Sequence, residues 1–145
     1  MNEDSAVPAS PSDGGGTEPL TVLVVDDNIV NQKVATYHLE SKGHRVEVAE
    51  NGRQALELID GGGFDLVLMD VQMPVMDGIE AAREIRRLEK SNGSHIPIIA
   101  TTARALKGDS EECLEAGMDD YISKPIQSDQ LFAVIARTLA RLRGL

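Results

Sequence analysis

The chain has 145 residues, of which 41% are hydrophobic, and a formal net charge of −10 at pH 7. That length corresponds to one globular domain with a core of its own. Because so acidic a chain repels the phosphate backbone of nucleic acids, we expect no direct binding to DNA or RNA. Since the sequence has no apolar stretch near the roughly 20 residues needed to span a bilayer, we also expect no membrane contact.

Residues 1–19 differ in composition from the rest of the chain, being rich in Ser, Pro, Gly and acidic residues. Such a segment buries too little apolar surface to offset the entropy lost on ordering. This predicts a disordered tail or linker over residues 1–19 and one folded domain over residues 20–145. The segment lacks the basic and apolar regions of a signal peptide, so we expect a cytoplasmic location. The only cysteine, Cys113, is predicted to pack as a small apolar residue.

Short runs of Val, Ile and Leu alternate with segments of helical spacing along residues 20–145. The runs predict strands over residues 21–25, 45–49, 64–69, 96–101 and 120–123. Two helices are predicted most clearly. One begins after Asp77, a predicted N-cap, and the other has apolar residues at three- and four-residue steps from Leu131 to Leu142. This order predicts an α/β fold of the flavodoxin-like (βα)5 class, a doubly wound parallel sheet with strand order 2-1-3-4-5.

Acidic residues stand at the ends of two predicted strands that are neighbours in this order. Asp26 and Asp27 follow the first strand and Asp70 follows the third, so three carboxylates face one small volume. Two like unit charges about 4 Å apart repel by about 4 kcal/mol at an effective dielectric constant near 20. A cation is needed to offset this repulsion, and Mg²⁺ suits hard oxygen ligands. None of the three histidines stands among these acids, which argues against zinc.

The neighbouring strand ends carry groups that suit phosphoryl transfer. Asp70 is placed to attack phosphorus as a carboxylate nucleophile and so form an aspartyl-phosphate. Thr102, at the end of the fourth strand, and Lys124, after the fifth, would supply a hydroxyl and an ammonium for the phosphoryl oxygens. Each of these residues alone has an ordinary explanation as a cap, a turn residue or an exposed lysine. Their joint placement at successive strand ends indicates phosphoryl chemistry.

Four segments of the chain resemble the receiver domains of two-component response regulators. They are Val-Val-Asp-Asp-Asn at 24–28, the ten residues at 69–78, Ile-Ile-Ala-Thr-Thr-Ala at 98–103, and Asp-Asp-Tyr-Ile-Ser-Lys-Pro at 119–125. Residues 28–32 and 113–121 are similar to receivers found in hybrid sensor histidine kinases. Together these segments extend over nearly the whole of residues 20–145, and the resemblance implies a receiver domain there.

The resemblance also implies a role for each matched residue. Asp70 would be the phosphoacceptor, Thr102 and Lys124 would contact the phosphoryl group, and Thr102 and Tyr121 would reorient on activation. A Mg²⁺ ion would be held by a set of oxygen ligands. These ligands would be Asp26, Asp27, Asp70 and the backbone carbonyl of Gln72.

The function implied is that of a phosphoryl-accepting receiver in a two-component or phosphorelay system. It would take phosphate from a phosphohistidine on a sensor histidine kinase or a histidine-phosphotransfer domain and then switch a protein-interaction face. It would not be an enzyme with a separate substrate, although it would catalyse its own phosphorylation and dephosphorylation. A homodimer that forms on phosphorylation is a further expectation. A stand-alone regulator, a relay intermediate and a receiver of a hybrid kinase all remain open.

Two other functions are compatible with parts of the pattern. An aspartyl-phosphate phosphatase or phosphotransferase would use the same nucleophile, but haloacid-dehalogenase-type enzymes carry a second Asp two positions later, where this chain has Gln72. A flavodoxin-type nucleotide binder would need a phosphate cradle after the first strand. Asp26 and Asp27 instead repel phosphate at that point.

Overall fold

The computed structural model describes residues 19–103 and 107–143, and for residues 107–110 it describes the backbone alone. The predicted tail therefore lies outside the described residues, apart from Pro19. Its disorder, and the boundary of the domain at residue 20, stay predictions.

Strands and helices alternate through the described residues, and the five strands form one parallel sheet. The strands are β1 (Thr21–Val25), β2 (Arg45–Ala49), β3 (Leu66–Asp70), β4 (Ile98–Thr102) and β5 (Asp120–Ser123). The helices are α1 (Ile29–Ser41), α2 (Gly52–Asp60), α3 (Gly78–Glu89), α4 (Lys107–Glu115) and α5 (Ser128–Leu142). The strand order is β2-β1-β3-β4-β5, which confirms the predicted flavodoxin-like topology.

Two strands begin and end later than the sequence predicts. The third was expected over residues 64–69 and the fourth over residues 96–101, but pairing with their neighbours starts at Leu66 and Ile98. Asp65, which was expected within the third strand, precedes β3, and its carboxylate accepts a hydrogen bond from the Thr21 N–H at 2.9 Å. As a result Asp70 is the last residue of β3, paired with Thr101, rather than the first residue of the following loop.

Helices cover both faces of the sheet, so the strands bury side chains on each side. On one face α1 and α5 pack against Val22, Val24, Leu66, Leu68, Ile99 and Ile122. On the other face α2, α3 and α4 cover Leu23, Val25, Val67, Met69, Ile98 and Ala100. Cys113 is buried in this second cluster, as predicted. None of the described helices is both long and apolar enough to cross a membrane.

An ion-pair network closes the amino edge of the sheet. The Arg86 guanidinium on α3 donates to the Gly117 carbonyl at 2.8 Å and pairs with Asp119 at 2.9 Å and Glu89 at 2.7 Å. Asp119 also accepts the Ile98 N–H at 2.9 Å. The network therefore joins the end of α3, the start of β4 and the turn before β5.

The loop after β3 folds back so that α3 begins close to the last residue of β3. The Asp77 side chain caps α3 by accepting the Glu80 N–H at 2.9 Å, as predicted. The Gly78 N–H donates to the Val71 carbonyl at 2.9 Å. A Cβ at Gly78 would lie 2.2 Å from the Asp70 carbonyl oxygen, so only glycine lets α3 start this close to β3.

This contact predicts the effect of Gly78→Ala on stability. We expect the free energy of unfolding, measured with urea, to fall by about 1–3 kcal/mol, because the new methyl group must displace strand backbone. Gly61→Ala is the matched control, since its Cβ would meet its nearest atom at 3.4 Å and its φ is −73°. We expect that control to be neutral or up to about 1 kcal/mol more stable. Equal effects of the two substitutions would contradict the steric argument.

Candidate functional site

Three carboxylates meet at the carboxyl edge of the sheet. Asp26 directly follows β1, Asp27 follows it, and Asp70 ends the neighbouring β3. Each offers a carboxylate oxygen, and these oxygens all lie within 4.8 Å of one another. Asp26 and Asp70 are only 3% and 4% exposed, whereas Asp27 is exposed to solvent. The structure thus brings together the acids that the strand order predicted to converge.

One lysine lies between the two buried acids. The Lys124 Nζ is 3.2 Å from Asp26 Oδ2 and 3.1 Å from Asp70 Oδ1. Its backbone N–H donates to the Thr102 carbonyl at 2.8 Å, which holds the residue after β5 against the end of β4. One ammonium offsets one of three carboxylate charges, so the cluster keeps an excess of negative charge when all are ionised.

Further hydrogen-bond donors hold the two buried acids, Asp26 and Asp70. Asp26 Oδ1 accepts the Asn28 N–H at 2.9 Å and is 3.5 Å from the Asn31 side-chain amide. Asp70 Oδ1 accepts the Gln72 N–H at 3.2 Å. Asn31 was missed by the sequence analysis, although its position three residues after Asn28 puts it on the same side of α1.

Burial has a direct effect on the proton affinity of Asp70. Desolvation raises the pKa of the Asp70 carboxyl above its ordinary value, and the negative charge of Asp26 raises it further. The hydrogen bond and charge of Lys124 and the Gln72 N–H act in the opposite direction but do not cancel the rise. Ionised Asp70 is therefore destabilising to the folded protein when no cation is bound.

The acids open into a cavity of about 250 Å³ at the surface. Its walls combine acidic, amide, hydroxyl and ammonium groups from the carboxyl ends of β1, β3, β4 and β5 and from the first turn of α1. The lining residues are Asp27, Asn28, Asn31, Asp70, Val71, Gln72, Thr102, Ala103 and Lys124. The hydroxyl and ammonium residues expected at the ends of β4 and β5 are thus beside Asp70.

Tyr121 is placed differently from the other expected residues. It lies on β5 opposite Ala100 of β4, and its side chain packs against the core between the sheet and helices α2 to α4. It is not among the residues that line the cavity. Tyr121 is joined to the site through the strands, since it pairs with β4 and lies on β5, three residues before Lys124.

The donor set at the cavity fits Mg²⁺. Three carboxylate oxygens close together are hard ligands, and the accessible Asp27 side leaves room for the waters that Mg²⁺ retains. Two histidines are engaged elsewhere, since His44 Nδ1 accepts the Leu20 N–H at 3.0 Å and His95 pairs with Asp119 at 2.8 Å. No histidine or cysteine stands among the described residues that line the cavity, so the nitrogen and sulfur ligands typical of zinc are not found there.

The crowding of acids predicts that Asp70→Asn stabilises the metal-free protein at pH 7. We expect the free energy of unfolding in EDTA to rise by on the order of 1 kcal/mol, because one buried repulsive charge is removed. The folded-state pKa of Asp70 is raised, so its cost is absent below the unfolded value and grows as pH rises through the folded value. The gain should therefore shrink on acidification.

Glu57→Gln is the control for this measurement, because Glu57 is exposed on α2 and lies away from the cluster. We expect that change to stay within about 0.5 kcal/mol. A loss of stability in metal-free Asp70→Asn, or a gain that does not depend on pH, would show that the acids do not repel as argued.

Comparison with known proteins places the chain in a family. The family model for the response regulator receiver domain matches residues 22–136. Hybrid signal transduction histidine kinase I of Dictyostelium discoideum is 45% identical over 122 residues. That match covers 81% of this chain and 7% of the kinase, so the chain spans only a small part of that relative.

Solved structures give the same result. The receiver domain of sensor histidine kinase PA1611 from Pseudomonas aeruginosa PAO1, which has a magnesium ion in its active-site cleft, is 44% identical with a TM-score of 0.76. That match covers 85% of this chain and 99% of the other. The receiver domain of Ssk1, solved with the histidine phosphotransfer protein Ypd1 of Saccharomyces cerevisiae, is 35% identical with a TM-score of 0.76, covering 79% and 84%. The chain belongs to the family of response regulator receiver domains, and its relatives include those of hybrid histidine kinases.

Proposed function

We propose that this receiver domain accepts a phosphoryl group from a phosphohistidine onto Asp70, in a reaction that depends on Mg²⁺. The observation that carries the proposal is the position of Asp70, a buried carboxylate that faces a cavity beside Lys124 and Thr102. Membership of the receiver family supports the same role. A sensor histidine kinase or a histidine-phosphotransfer protein would be the donor, as the complex of Ypd1 with the Ssk1 receiver illustrates.

The chemistry follows from the groups that line the cavity. A carboxylate oxygen of Asp70 forms the new bond to phosphorus, while the bond from phosphorus to the imidazole nitrogen breaks and its electron pair returns to the ring. The Lys124 ammonium and the Thr102 hydroxyl donate to the phosphoryl oxygens. Bound Mg²⁺ would neutralise charge on those oxygens. Its ligands would be Asp26, Asp27 and Asp70, whose oxygens lie together, and the Gln72 carbonyl. The magnesium ion in the cleft of the PA1611 receiver supports a metal at this edge of the fold.

Phosphorylation would then alter the surface around β4 and β5. The phosphoryl group adds roughly −1.5 to −2 charge and strong acceptor oxygens, which would draw Thr102 and Lys124 towards it. Because Lys124 is bonded to the Thr102 carbonyl, both strand ends would move together. Tyr121, which lies on β5 and packs against the core, would adjust and change the face formed by α4, β5 and α5. A homodimer formed through that face is part of the same proposal.

The domain would catalyse its own phosphorylation and dephosphorylation rather than turn over a separate substrate. Gln72, two positions after Asp70, has a side-chain amide that cannot act as a general acid, which disfavours a phosphatase of the aspartyl-phosphate type. We propose a cytoplasmic location, where histidine kinases and their phosphotransfer partners would meet it.

The exposed surface of α1 is where a protein that donates the phosphoryl group would dock. Several large apolar side chains are exposed on α1 and on the adjacent edge strand β2. They are Ile29, Val30, Val34, Tyr37 and Val48. Ile29 and Val30 follow directly after Asn28, which lines the cavity, so a protein that inserts a phosphohistidine would cover them. Tyr37 is 71% exposed, and aromatic residues of this kind commonly anchor protein interfaces.

The proposed role of Asp70 predicts stoichiometric labelling. After incubation with acetyl phosphate and Mg²⁺, intact mass should show one added phosphate that is removed by hydroxylamine. We expect no label on Asp70→Asn and normal label on Asp60→Asn, because Asp60 is exposed at the end of α2. A label that persists in Asp70→Asn would refute the assignment. Steady turnover of a small phosphate ester would instead indicate the phosphatase.

The exposed surface of α1 predicts a defect that is specific to protein donors. Tyr37→Ala should slow transfer from a phosphorylated histidine-phosphotransfer protein about tenfold, the effect of losing roughly 1.4 kcal/mol of binding. Labelling by acetyl phosphate should not change, because the cavity is untouched. Leu114→Ala is the control, since Leu114 is 50% exposed on α4. Equal slowing by both donors would refute docking on α1.

A further inference from the structure

Asp27 differs from the other two acids in how it is held. Asp26 and Asp70 are each fixed by Lys124 and by a backbone N–H. Among the side chains of residues 19–103 and 111–143, none holds the Asp27 carboxylate by a hydrogen bond or an ion pair, and this carboxylate is exposed at the mouth of the cavity. Its position therefore depends on the backbone of the turn between β1 and α1.

One side chain pins that backbone from the helix. The Gln32 side-chain amide donates to the Asp26 carbonyl at 2.6 Å. The Asp26 N–H is held from the other direction by the Ala49 carbonyl of β2 at 3.1 Å. Because the peptide group that joins Asp26 to Asp27 is planar, fixing its carbonyl also restricts the direction in which Asp27 leaves the strand.

Gln32 itself stands outside the cavity. It lines a groove on the outer side of α1, together with Ile29, Lys33 and Tyr37, rather than the space that Asp70 faces. Any contribution that it makes to the site therefore acts through the turn. In this respect it resembles the outer partners that orient metal ligands in other proteins.

We propose that Gln32 is a positioning residue for the Mg²⁺ site of this domain. By holding the Asp26 carbonyl, its amide keeps the Asp27 carboxylate directed at the cavity mouth, within reach of the other two acids. This inference rests on the proposed function, because the Mg²⁺ site is part of it.

The fold supplies a matched residue that separates metal positioning from stability. Gln54 lies in the first turn of α2, as Gln32 lies in the first turn of α1, and it also bonds through its side chain to backbone before the helix. The side-chain oxygen Oε1 of Gln54 accepts the Glu50 N–H at 2.8 Å. This bond holds a turn that carries none of the three acids, and it reaches Asp26 only through the Ala49 carbonyl, one hydrogen bond further from Asp27 than the bond from Gln32.

The test compares Gln32→Met with Gln54→Met, since methionine keeps the length of the side chain and removes its hydrogen bond. Mg²⁺ binding is measured by titration calorimetry at a temperature where circular dichroism shows both variants fully folded. We expect the dissociation constant to rise about tenfold in Gln32→Met and less than about twofold in Gln54→Met. In labelling with acetyl phosphate, the half-saturating Mg²⁺ concentration should rise in parallel, and excess Mg²⁺ should correct most of the defect.

Unchanged Mg²⁺ affinity in Gln32→Met would overturn the inference, as would equal weakening in both variants. The calorimetric comparison does not require phosphorylation. If the wild-type domain bound Mg²⁺ yet accepted no phosphate, the proposed function would fail while the positioning role of Gln32 would still be decided by the two dissociation constants.

Discussion

Repulsion between carboxylates that the parallel sheet forces together is the constraint on which the rest of the site depends. Adjacent parallel strands end at the same edge, so acids at the ends of β1 and β3 cannot avoid one another. Lys124 relieves part of the repulsion by bridging Asp26 and Asp70. What remains is a cluster with unbalanced negative charge, for which a divalent cation is the natural complement.

At this carboxyl edge, the packing of the backbone determines the surroundings of the Asp70 carboxylate. Asp70 is buried because it belongs to β3, and Gly78 lets α3 begin directly beneath its carbonyl. Burial in turn raises the pKa of the Asp70 carboxyl. Asp70 is only 4% exposed and its carboxylate faces the cavity, so the packing of the strand and the raised proton affinity of the carboxylate have one cause.

Much of this arrangement could be predicted from sequence because it depends on periodicity and strand order. Strands over residues 21–25, 45–49 and 120–123 were predicted with the observed bounds, and parallel topology then required the acids to converge. The bounds of β3 and β4 were not predicted, because the hydrogen bonds from Thr21 to the Asp65 carboxylate and from the Ile96 N–H to the Glu89 carboxylate have no signature in the apolar pattern. The ion pairs of Lys124 and the bond from Gln32 depend on the reach of flexible side chains, which spacing alone does not determine.

The network of Arg86, Asp119 and Glu89 has a consequence for the behaviour of the whole domain. It fastens the amino edge of the sheet, while the three acids and Lys124 lie at the carboxyl edge. The rearrangement proposed to follow phosphorylation would thereby be confined to the carboxyl edge of the sheet. The amino edge would then present the same surface to a binding protein in the phosphorylated and in the unphosphorylated domain.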